Sequence, residues 1–333
     1  KAIALLTQGR LREGWALYDS RLEFAPEEAN FLEIGMPRLA PDWNGHRLEK
    51  PLLVLQEQGL GDQIFYGAML ADLQASGMES FVCLDERLLP LFRRSFPGLD
   101  FAKSSEIARL DPALGLFGAQ IHLASLGRHF RPDTASLERI PSPFLIADTD
   151  VSTRLRHRLQ QGENIVCGLS WSSKNVETGA TKSLPLAALL PVLQVPGVEF
   201  IDLQYGDTLE ERRALEGSSG IRVKRLDDID NKNDIDGLAA LISACDLVIT
   251  VSNSTAHLAA ALGKPTVILL AHHTPLWYWH IEGTSSPWYP TATLLRQPAP
   301  GDWKSTVGLA AELLGAATTA ARAEGAASSC RFS

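Results

Sequence analysis

The sequence predicts an α/β protein built from two Rossmann-like domains that face a cleft. Two series of apolar strand patterns alternate with helical patterns, the first from residue 51 and the second from residue 164. This alternation is typical of parallel sheets covered by helices on both faces. The two series are separated near residues 150–163, and a chain of 333 residues is long enough for two such cores.

Short β-branched or apolar runs bounded by turn residues predict strands, and longer segments with helical spacing predict helices. In the first series, strands are expected at 51–58, 81–84, 99–102 and 120–123, and helices at 64–76 and 86–96. In the second series, strands are expected at 164–171, 199–204, 221–226, 247–251, 266–270 and 294–297. Its helices are expected at 153–161, 186–193, 208–216, 236–244, 255–262 and 305–323. The expected domains are therefore 51–155 and 156–325, with a linker at 27–50 and a tail at 326–333.

Residues 1–26 have the pattern of two short helices. The string Gly14-Trp-Ala-Leu-Tyr18, followed by Pro26, resembles the second half of a tetratricopeptide (TPR) repeat. One repeat cannot bury its own apolar face, so this TPR-like helical remnant implies upstream repeats that cover Trp15 and Tyr18. The alternative is a plain helical hairpin that leads into the first domain.

The composition is that of an ordinary globular protein, with 45% hydrophobic and 21% charged residues. A formal net charge of −8 and scattered Lys and Arg residues argue against nucleic acid or an anionic membrane as the main partner. No apolar run is long enough to span a membrane. The four cysteines are far apart without a Cys-x-x-Cys motif, which predicts reduced core thiols in a cytoplasmic protein.

A candidate phosphate site lies where the strand at 247–251 meets the following short helix. Small polar residues fill this junction and His257 follows in the first turn. The exposed N–H groups and positive dipole end of a helix start favour phosphate, and small side chains allow close approach. The residues expected to contact a bound phosphate or acid group are Ser252, Asn253, Ser254, Thr255 and His257. The alternative is an ordinary βαβ unit with a well-capped helix.

A second candidate site is the turn after the first strand. Gly59 and Gly61 permit a tight turn, with Asp62 at the helix start and Gln63 after it. Asp62 is either a helix cap or a general base that projects into the interdomain cleft, and His122 is the reserve candidate for the base. The turn is not a full Gly-x-Gly-x-x-Gly motif, which argues against a nicotinamide or flavin cofactor.

Two further loops offer contacts to the same ligand. The candidates are Ser170, Trp171, Lys174 and Lys182 in one loop, and Gln204 and Tyr205 in the other. Lysines can neutralise a diphosphate or carboxylate and serines can hydrogen-bond it, while Gln204 and Tyr205 can contact a nucleobase or ribose. The alternatives are solvated surface lysines and an ordinary strand-to-helix turn capped by Asp207.

The sequence favours a reaction without a bound metal ion. An aromatic run at 272–280 contains three histidines, but they lack metal-ligand spacing, and the run is typical of a sugar platform or of packing. The strings Asp228-Ile-Asp230 and Asp234-Ile-Asp236 are interpreted as solvated loop or cap residues. We therefore expect neither a metal nor another cofactor.

The motifs together resemble a known family. Gln58-Gly-Leu-Gly-Asp-Gln63, Gly168-Leu-Ser-Trp171 and the segment 246–259 are similar to the heptosyltransferase-like glycosyltransferases of GT-B fold. Ser286-Pro-Trp-Tyr-Pro290 and Arg296-Gln-Pro298 resemble the branch fused to TPR repeats, which includes bacterial flagellin O-glycosyltransferases. The resemblance implies a nucleotide-sugar donor held by the second domain, an acceptor held by the first, and Asp62 as the base.

The resemblance also bears on the donor and the acceptor. Heptosyltransferases usually have Asp-Thr where this chain has Asn253-Ser254, which favours a CMP-activated nonulosonic acid or a UDP-sugar over ADP-heptose. Three functions stay open: transfer to a Ser or Thr hydroxyl of a protein such as flagellin, recruited by upstream TPR repeats; transfer to lipopolysaccharide or another glycan; and a non-catalytic scaffold. Asp62 and His257 favour catalysis, and the repeat pattern favours a protein acceptor.

Overall fold

The computed structural model describes residues 1–23, 38–160, 162–175, 178–273, 276–280 and 282–329, with side chains as far as residue 323. The chain forms two compact units. Unit 1 contains Lys1–Ile146, Ala261–Gly263 and Leu276–Pro290, and unit 2 contains Ala147–Ala260, Lys264–Pro275 and Thr291–Ser333. Each unit holds a parallel sheet with helices, which confirms the predicted α/β class. The cleft between two facing domains stays a prediction.

Unit 1 is built on a four-stranded parallel sheet of order β3-β2-β1-β4. Its strands are β1 Leu52–Leu55, β2 Ser80–Leu84, β3 Asp100–Lys103 and β4 Ala119–His122. Its helices are α1 Ala2–Thr7, α2 Leu11–Tyr18, α3 Leu60–Gly67, α4 Leu70–Ala75, α5 Leu89–Ser95, α6 Ser104–Ile107 and α7 Gly127–Phe130. All four residues of β1 are buried, as expected of a central parallel strand whose sequence is apolar throughout.

Unit 2 is built on a five-stranded parallel sheet of order β6-β5-β7-β8-β9. Its strands are β5 Ile165–Ser170, β6 Val198–Asp202, β7 Leu247–Val251, β8 Thr266–Leu270 and β9 Ala292–Arg296. Its helices are α8 Thr149–Leu159, α9 Gly179–Lys182, α10 Leu190–Leu193, α11 Leu209–Ser219, α12 Ile235–Ala244, α13 Ser254–Ala261 and α14 Trp303–Ser329. Because β5 lies between β6 and β7, the carboxyl ends of these three strands meet at one edge of the sheet.

Two predicted elements differ in the structure. The helix expected at 64–76 is divided into α3 and α4. The strand expected at 221–226 pairs with β6 only through a bridge between Ile201 and Lys224. The next residue, Arg225, directs its guanidinium to the Gln204 carbonyl at 2.6 Å and to Asp202 at 3.1 Å.

The N-terminal helical hairpin is part of unit 1. Trp15 is 2% exposed, and its indole N–H donates to the Arg131 carbonyl at 2.8 Å. Its ring fills the space beside Gly127, where an added Cβ would lie 2.4 Å from the ring. Tyr18 is 8% exposed and pairs its hydroxyl with that of Tyr66 at 2.8 Å. The expectation that Trp15 and Tyr18 need upstream repeats to cover them is therefore wrong, because unit 1 itself covers both.

The segment Leu276–Pro290 packs in unit 1, whereas the sequence places it in a second domain of residues 156–325. Its aromatic side chains surround Phe65 of α3. We call this group the Phe65 cluster; with their ring-centroid distances from Phe65, its members are Trp277 at 5.5 Å, Tyr278 at 4.6 Å, Trp288 at 4.8 Å and Tyr289 at 6.2 Å. Burial of these large rings holds the segment against unit 1, and it supports the packing alternative for the aromatic run.

The remaining sequence predictions concern the cysteines, the linker, the tail and membrane-spanning helices. Cys83, Cys167 and Cys245 are buried thiols, as predicted, while Cys330 lies outside the described residues. Residues 24–37 also lie outside the described residues, and they include the end of the predicted TPR-like remnant and part of the linker. The end of the tail, at 330–333, lies outside them as well. Among the described residues, no helix combines the length and apolar character needed to cross a membrane.

Candidate functional site

The junction of β7 and α13 in unit 2 is organised by Asn253. Its side-chain oxygen accepts hydrogen bonds from the backbone N–H groups of Thr255 at 3.0 Å and Ala256 at 3.3 Å, so it caps α13. Its side-chain NH₂ donates to the Ser170 hydroxyl at 2.8 Å and to the Ser172 carbonyl at 3.0 Å. Asn253 therefore ties the start of α13 to the end of β5, and its amide is already satisfied within the protein.

Gln204 holds the neighbouring strand end in the same way. Its side-chain oxygen accepts from the Ser170 hydroxyl at 3.0 Å and from the backbone N–H groups of Trp171 at 2.9 Å and Ser172 at 2.8 Å. Asp207 accepts from the Leu209 N–H at 2.9 Å at the start of α11. These bonds support the alternative of a structural strand-to-helix turn for Gln204, and a nucleobase contact by its amide stays a prediction.

Trp171 belongs to the core of unit 2. It is 1% exposed, and its indole N–H donates to the Glu211 carboxylate at 2.8 Å. Tyr205 lies at the surface of the same region, where its hydroxyl accepts from the backbone N–H of the exposed Lys174 at 2.7 Å. Of these three predicted donor contacts, only Lys174 and Tyr205 offer surface to a ligand.

Three buried polar side chains lie at or near the start of α13. Thr255 is 1% exposed, and its hydroxyl has no hydrogen-bond partner among the residues that the structure describes. His257 and Lys182 are 3% and 6% exposed. Burial, and after it the charge of Lys182, lowers the pKa of His257 to about 3, so its imidazole is neutral near pH 7. A helix start, a buried cation and a neutral imidazole together suit an anionic group.

A cavity of about 720 Å³ adjoins the end of β6. It is lined by residues 206–209, by Arg212 and Arg213 of α11, and by residues 222–227. Arg212 and Arg225 both bind the buried carboxylate of Asp202, at 3.3 and 3.1 Å. The sequence interpretation did not include this cavity, although the clustering of arginines around residues 212 and 225 is visible in the sequence.

The turn before α3 in unit 1 carries the candidate base. Its left-handed residue is Gln58, with φ of 64°, whereas Gly59 has φ of −79° and lies in the extended region. The Gly59 N–H donates to the Asp62 carboxylate at 3.3 Å, so Asp62 does serve as a helix cap. An added Cβ at Gly59 would lie 3.4 Å from that carboxylate, an ordinary van der Waals contact, so the local geometry does not require glycine here. Gly61 lies in the first turn of α3.

Two other predicted residues of unit 1 have structural surroundings. Gln63 is buried; its side-chain NH₂ donates to the Gln58 carbonyl at 3.3 Å, and its oxygen accepts from the Asp85 N–H at 2.8 Å. His122 ends β4, and burial lowers the pKa of its imidazole. Its Nδ1 is buried without a hydrogen-bond partner among the described residues. A role for His122 as reserve base stays a prediction.

The Asp-x-Asp strings are engaged within unit 2. Asp228 pairs with Arg158 at 2.7 Å, and Asp234 caps α12 by accepting from the Gly237 N–H at 2.8 Å. This supports their interpretation as loop and cap residues. The described part of the chain contains no group of three or more His, Cys, Asp or Glu residues placed to hold a metal ion. Independence from metal stays a prediction.

Comparison with solved structures places these features in a fold class. A glycosyl transferase family 9 protein from Veillonella parvula aligns with a TM-score of 0.56 and 15% identity, over 83% of this chain and 98% of that chain. The ADP-heptose lps heptosyltransferase II of E. coli aligns with a TM-score of 0.56 and 14% identity, over 79% and 98%. The two parallel α/β units therefore have a GT-B-like glycosyltransferase fold.

Two sequence matches add to the comparison of folds. Residues 211–300 match the model of Glycosyltransferase family 9 (heptosyltransferase). Protein FlbA from Caulobacter vibrioides is 33% identical over 329 residues, which are 94% of this chain and 54% of FlbA. The chain thus spans about half the length of this curated relative. These matches confirm the resemblance to heptosyltransferase-like glycosyltransferases over residues 211–300 and in the fold, while TPR fusion and flagellin as acceptor stay predictions.

Proposed function

We propose that the protein is a glycosyltransferase that moves a sugar from a nucleotide-sugar donor to a Ser or Thr hydroxyl of a protein acceptor. Unit 2 binds the donor, which we take to be a CMP-activated nonulosonic acid or a UDP-sugar. The observation that carries the proposal is the start of α13, where buried Thr255, His257 and Lys182 lie near the carboxyl end of a parallel strand. The family match at residues 211–300 covers this segment.

In the proposed reaction, Asp62 removes the proton of the acceptor hydroxyl while the hydroxyl oxygen forms a bond to the anomeric carbon. The bond from that carbon to the donor phosphate breaks, and the nucleotide departs with the electron pair. Negative charge increases on the departing phosphate, and the positive end of α13 together with Lys182 stabilises it. The cavity beside β6, with Arg212 and Arg225 at its wall, offers space for the nucleoside part of the donor.

The proposal also specifies that the acceptor is a protein. The outer faces of α1 and α2 expose Ile3 by 43% and Leu17 by 39%, which leaves apolar surface for further helices to pack against. We propose that such helices belong to TPR repeats that recruit the acceptor. Transfer to lipopolysaccharide or another glycan is the alternative, and an assay with both acceptor classes separates the two.

We expect His257→Ala to weaken donor binding without unfolding the protein, because the neutral imidazole is buried beside the proposed phosphate position. A thermal-shift panel of CMP-, UDP- and ADP-linked ligands first identifies the nucleotide, since a bound ligand raises the apparent stability. Calorimetry then compares the affinity of the variant with that of the parent. The matched control is His157→Ala, which replaces an exposed histidine of α8. Equal donor affinity in both variants would remove His257 from the donor site.

We expect full transfer activity in the presence of excess chelator. In the proposed site the positive charge comes from Lys182 and the end of α13, so a divalent ion is not required for charge neutralisation. The measurement is the rate of sugar transfer with and without EDTA, after dialysis against the chelator. Loss of activity that Mg²⁺ or Mn²⁺ restores would show that a metal takes part.

A further inference from the structure

The carboxylate of Asp62 lies beside the Phe65 cluster. Asp62 and Phe65 are three residues apart on α3, and side chains at that spacing lie on the same face of a helix. The ring of Tyr278 packs 4.6 Å from that of Phe65, and its hydroxyl hydrogen-bonds the Asp62 carboxylate. Leu276–Pro290, a segment that follows most of unit 2 in the sequence, thus contacts the candidate base of unit 1.

Groups from its own turn, from α3 and from the segment Leu276–Pro290 lie near Asp62. On its own turn, the Gly59 N–H donates to one carboxylate oxygen. On its own helix, Tyr66 lies within electrostatic range, but its hydroxyl is paired with that of Tyr18 at 2.8 Å. From the segment Leu276–Pro290, Tyr278 forms a hydrogen bond with Asp62, and Tyr289 lies within electrostatic range.

An ion pair between Arg21 and Glu57 lies near Tyr66. Glu57 and Arg21 lie within electrostatic range of Tyr66. They bind each other through two hydrogen bonds, of 2.7 and 2.8 Å. The charge of Glu57 is therefore balanced by Arg21 beside it.

The tyrosines can act only as hydrogen-bond donors to this carboxylate. Burial, and after it the nearby charge of Asp62, raises the pKa of the Tyr278 and Tyr289 hydroxyls well above the ordinary value. Both stay protonated throughout the pH range of an enzyme assay. A donated hydrogen bond favours the charged form of the carboxylate and fixes its orientation.

We propose that Tyr278 is a positioning residue for Asp62, which orients the carboxylate and sets the pH at which it becomes an effective base. This inference rests on the proposed function of Asp62. One carboxylate oxygen is held by the Gly59 N–H, and the Tyr278 hydroxyl restrains the group further. An ionised carboxylate offers about four acceptor positions, more than these two bonds occupy.

The test is Tyr278→Phe, which keeps the ring in the Phe65 cluster and removes only the hydroxyl. Loss of a donor to the charged form disfavours ionisation, so the acid limb of the kcat/KM profile should move to higher pH by roughly one unit. The kcat should fall roughly tenfold because the base is less well oriented, while the donor KM should not change. Circular dichroism and thermal unfolding check that the variant is folded.

The matched control is Tyr18→Phe, which also removes a buried hydroxyl near α3, but one that pairs with Tyr66 and Gln58. Its acid limb should move by clearly less than that of Tyr278→Phe, because the hydrogen bonds of its hydroxyl go to Tyr66 and Gln58. If Tyr278→Phe does not fold, 3-fluorotyrosine at position 278 keeps the ring and the hydroxyl with a more acidic proton. That stronger donor should move the acid limb to lower pH.

The outcomes separate this inference from the proposed function. If Asp62→Asn abolishes transfer while the Tyr278 variants keep the parent pH profile, the positioning role is wrong and the base assignment stands. If Asp62→Asn transfers sugar at the parent rate, the base assignment itself is wrong. Equal shifts of the acid limb in Tyr278→Phe and Tyr18→Phe would also overturn the positioning role, because a general effect of cavity formation would then explain both.

Discussion

Asp62→Asn is expected to lower the rate of sugar transfer by at least roughly a hundredfold, the lower limit for loss of a general base. A hydroxyl of Ser or Thr is a poor nucleophile at neutral pH, and its proton must leave as the new bond forms. Asn has nearly the shape of Asp but cannot accept that proton. The variant should keep its fold and its donor affinity, because the amide oxygen can still accept the Gly59 N–H.

The capping role of Asp62 makes a matched control necessary. Asp148 caps α8 by accepting from the Val151 N–H at 2.9 Å, and it belongs to neither candidate site. Asp148→Asn therefore measures what the loss of one capping charge does to stability and activity. If Asp62→Asn and Asp148→Asn reduce transfer to the same small extent, Asp62 is only a helix cap and the base must be sought elsewhere, with His122 as the next candidate.

Strand positions are the part of the fold that sequence patterns predict well here. The run Leu247–Val251 was expected as a buried strand and is β7 with those bounds, because a continuous β-branched and apolar sequence has few other stable environments. The segment Leu276–Pro290 was assigned to the wrong unit for a physical reason. Its aromatic rings are compatible with any apolar surface, and no local pattern indicates that the surface is Phe65, more than two hundred residues earlier.

The candidate donor contacts were selected by residue type, and their role in donor binding stays a prediction. Ser170, Gln204 and Asn253 were selected as donor contacts because polar residues at strand ends are typical of ligand sites. In the structure their side chains bind one another and connect β5, β6 and β7. Sequence alone could not distinguish a structural role from ligand binding. A side-chain amide that connects strand ends can have the same local sequence as one that binds a ligand. The distances show the structural bonds of these residues, while a donor contact by any of them stays a prediction.

The N-terminal hairpin is connected to the turn that carries Asp62 by a buried ion pair that no motif indicated. Arg21 donates from two nitrogens to the Glu57 carboxylate, at 2.8 and 2.7 Å, and Glu57 also accepts from the Ala124 N–H at 2.8 Å. The Arg21 and Glu57 side chains are 9% and 0% exposed. Glu57 directly precedes Gln58, the left-handed residue of the turn that carries Asp62. The position of this turn thus depends on residues 1–23, which the sequence assigns to a separate TPR-like unit.

Arg21→Met is accordingly expected to destabilise unit 1 by about 3–5 kcal/mol, because it leaves the Glu57 carboxylate buried without its cation. Urea denaturation measures the change, and hydrogen exchange of the β1 and β4 amides assigns it to unit 1. The double variant Arg21→Met/Glu57→Met should regain much of the stability, since apolar replacement of both partners removes the buried charge. Arg10→Met, which breaks the exposed pair with Glu13 in the same hairpin, is the control and should behave like the parent protein. If Arg21→Met is as stable as Arg10→Met, the buried pair does not hold the hairpin to the turn.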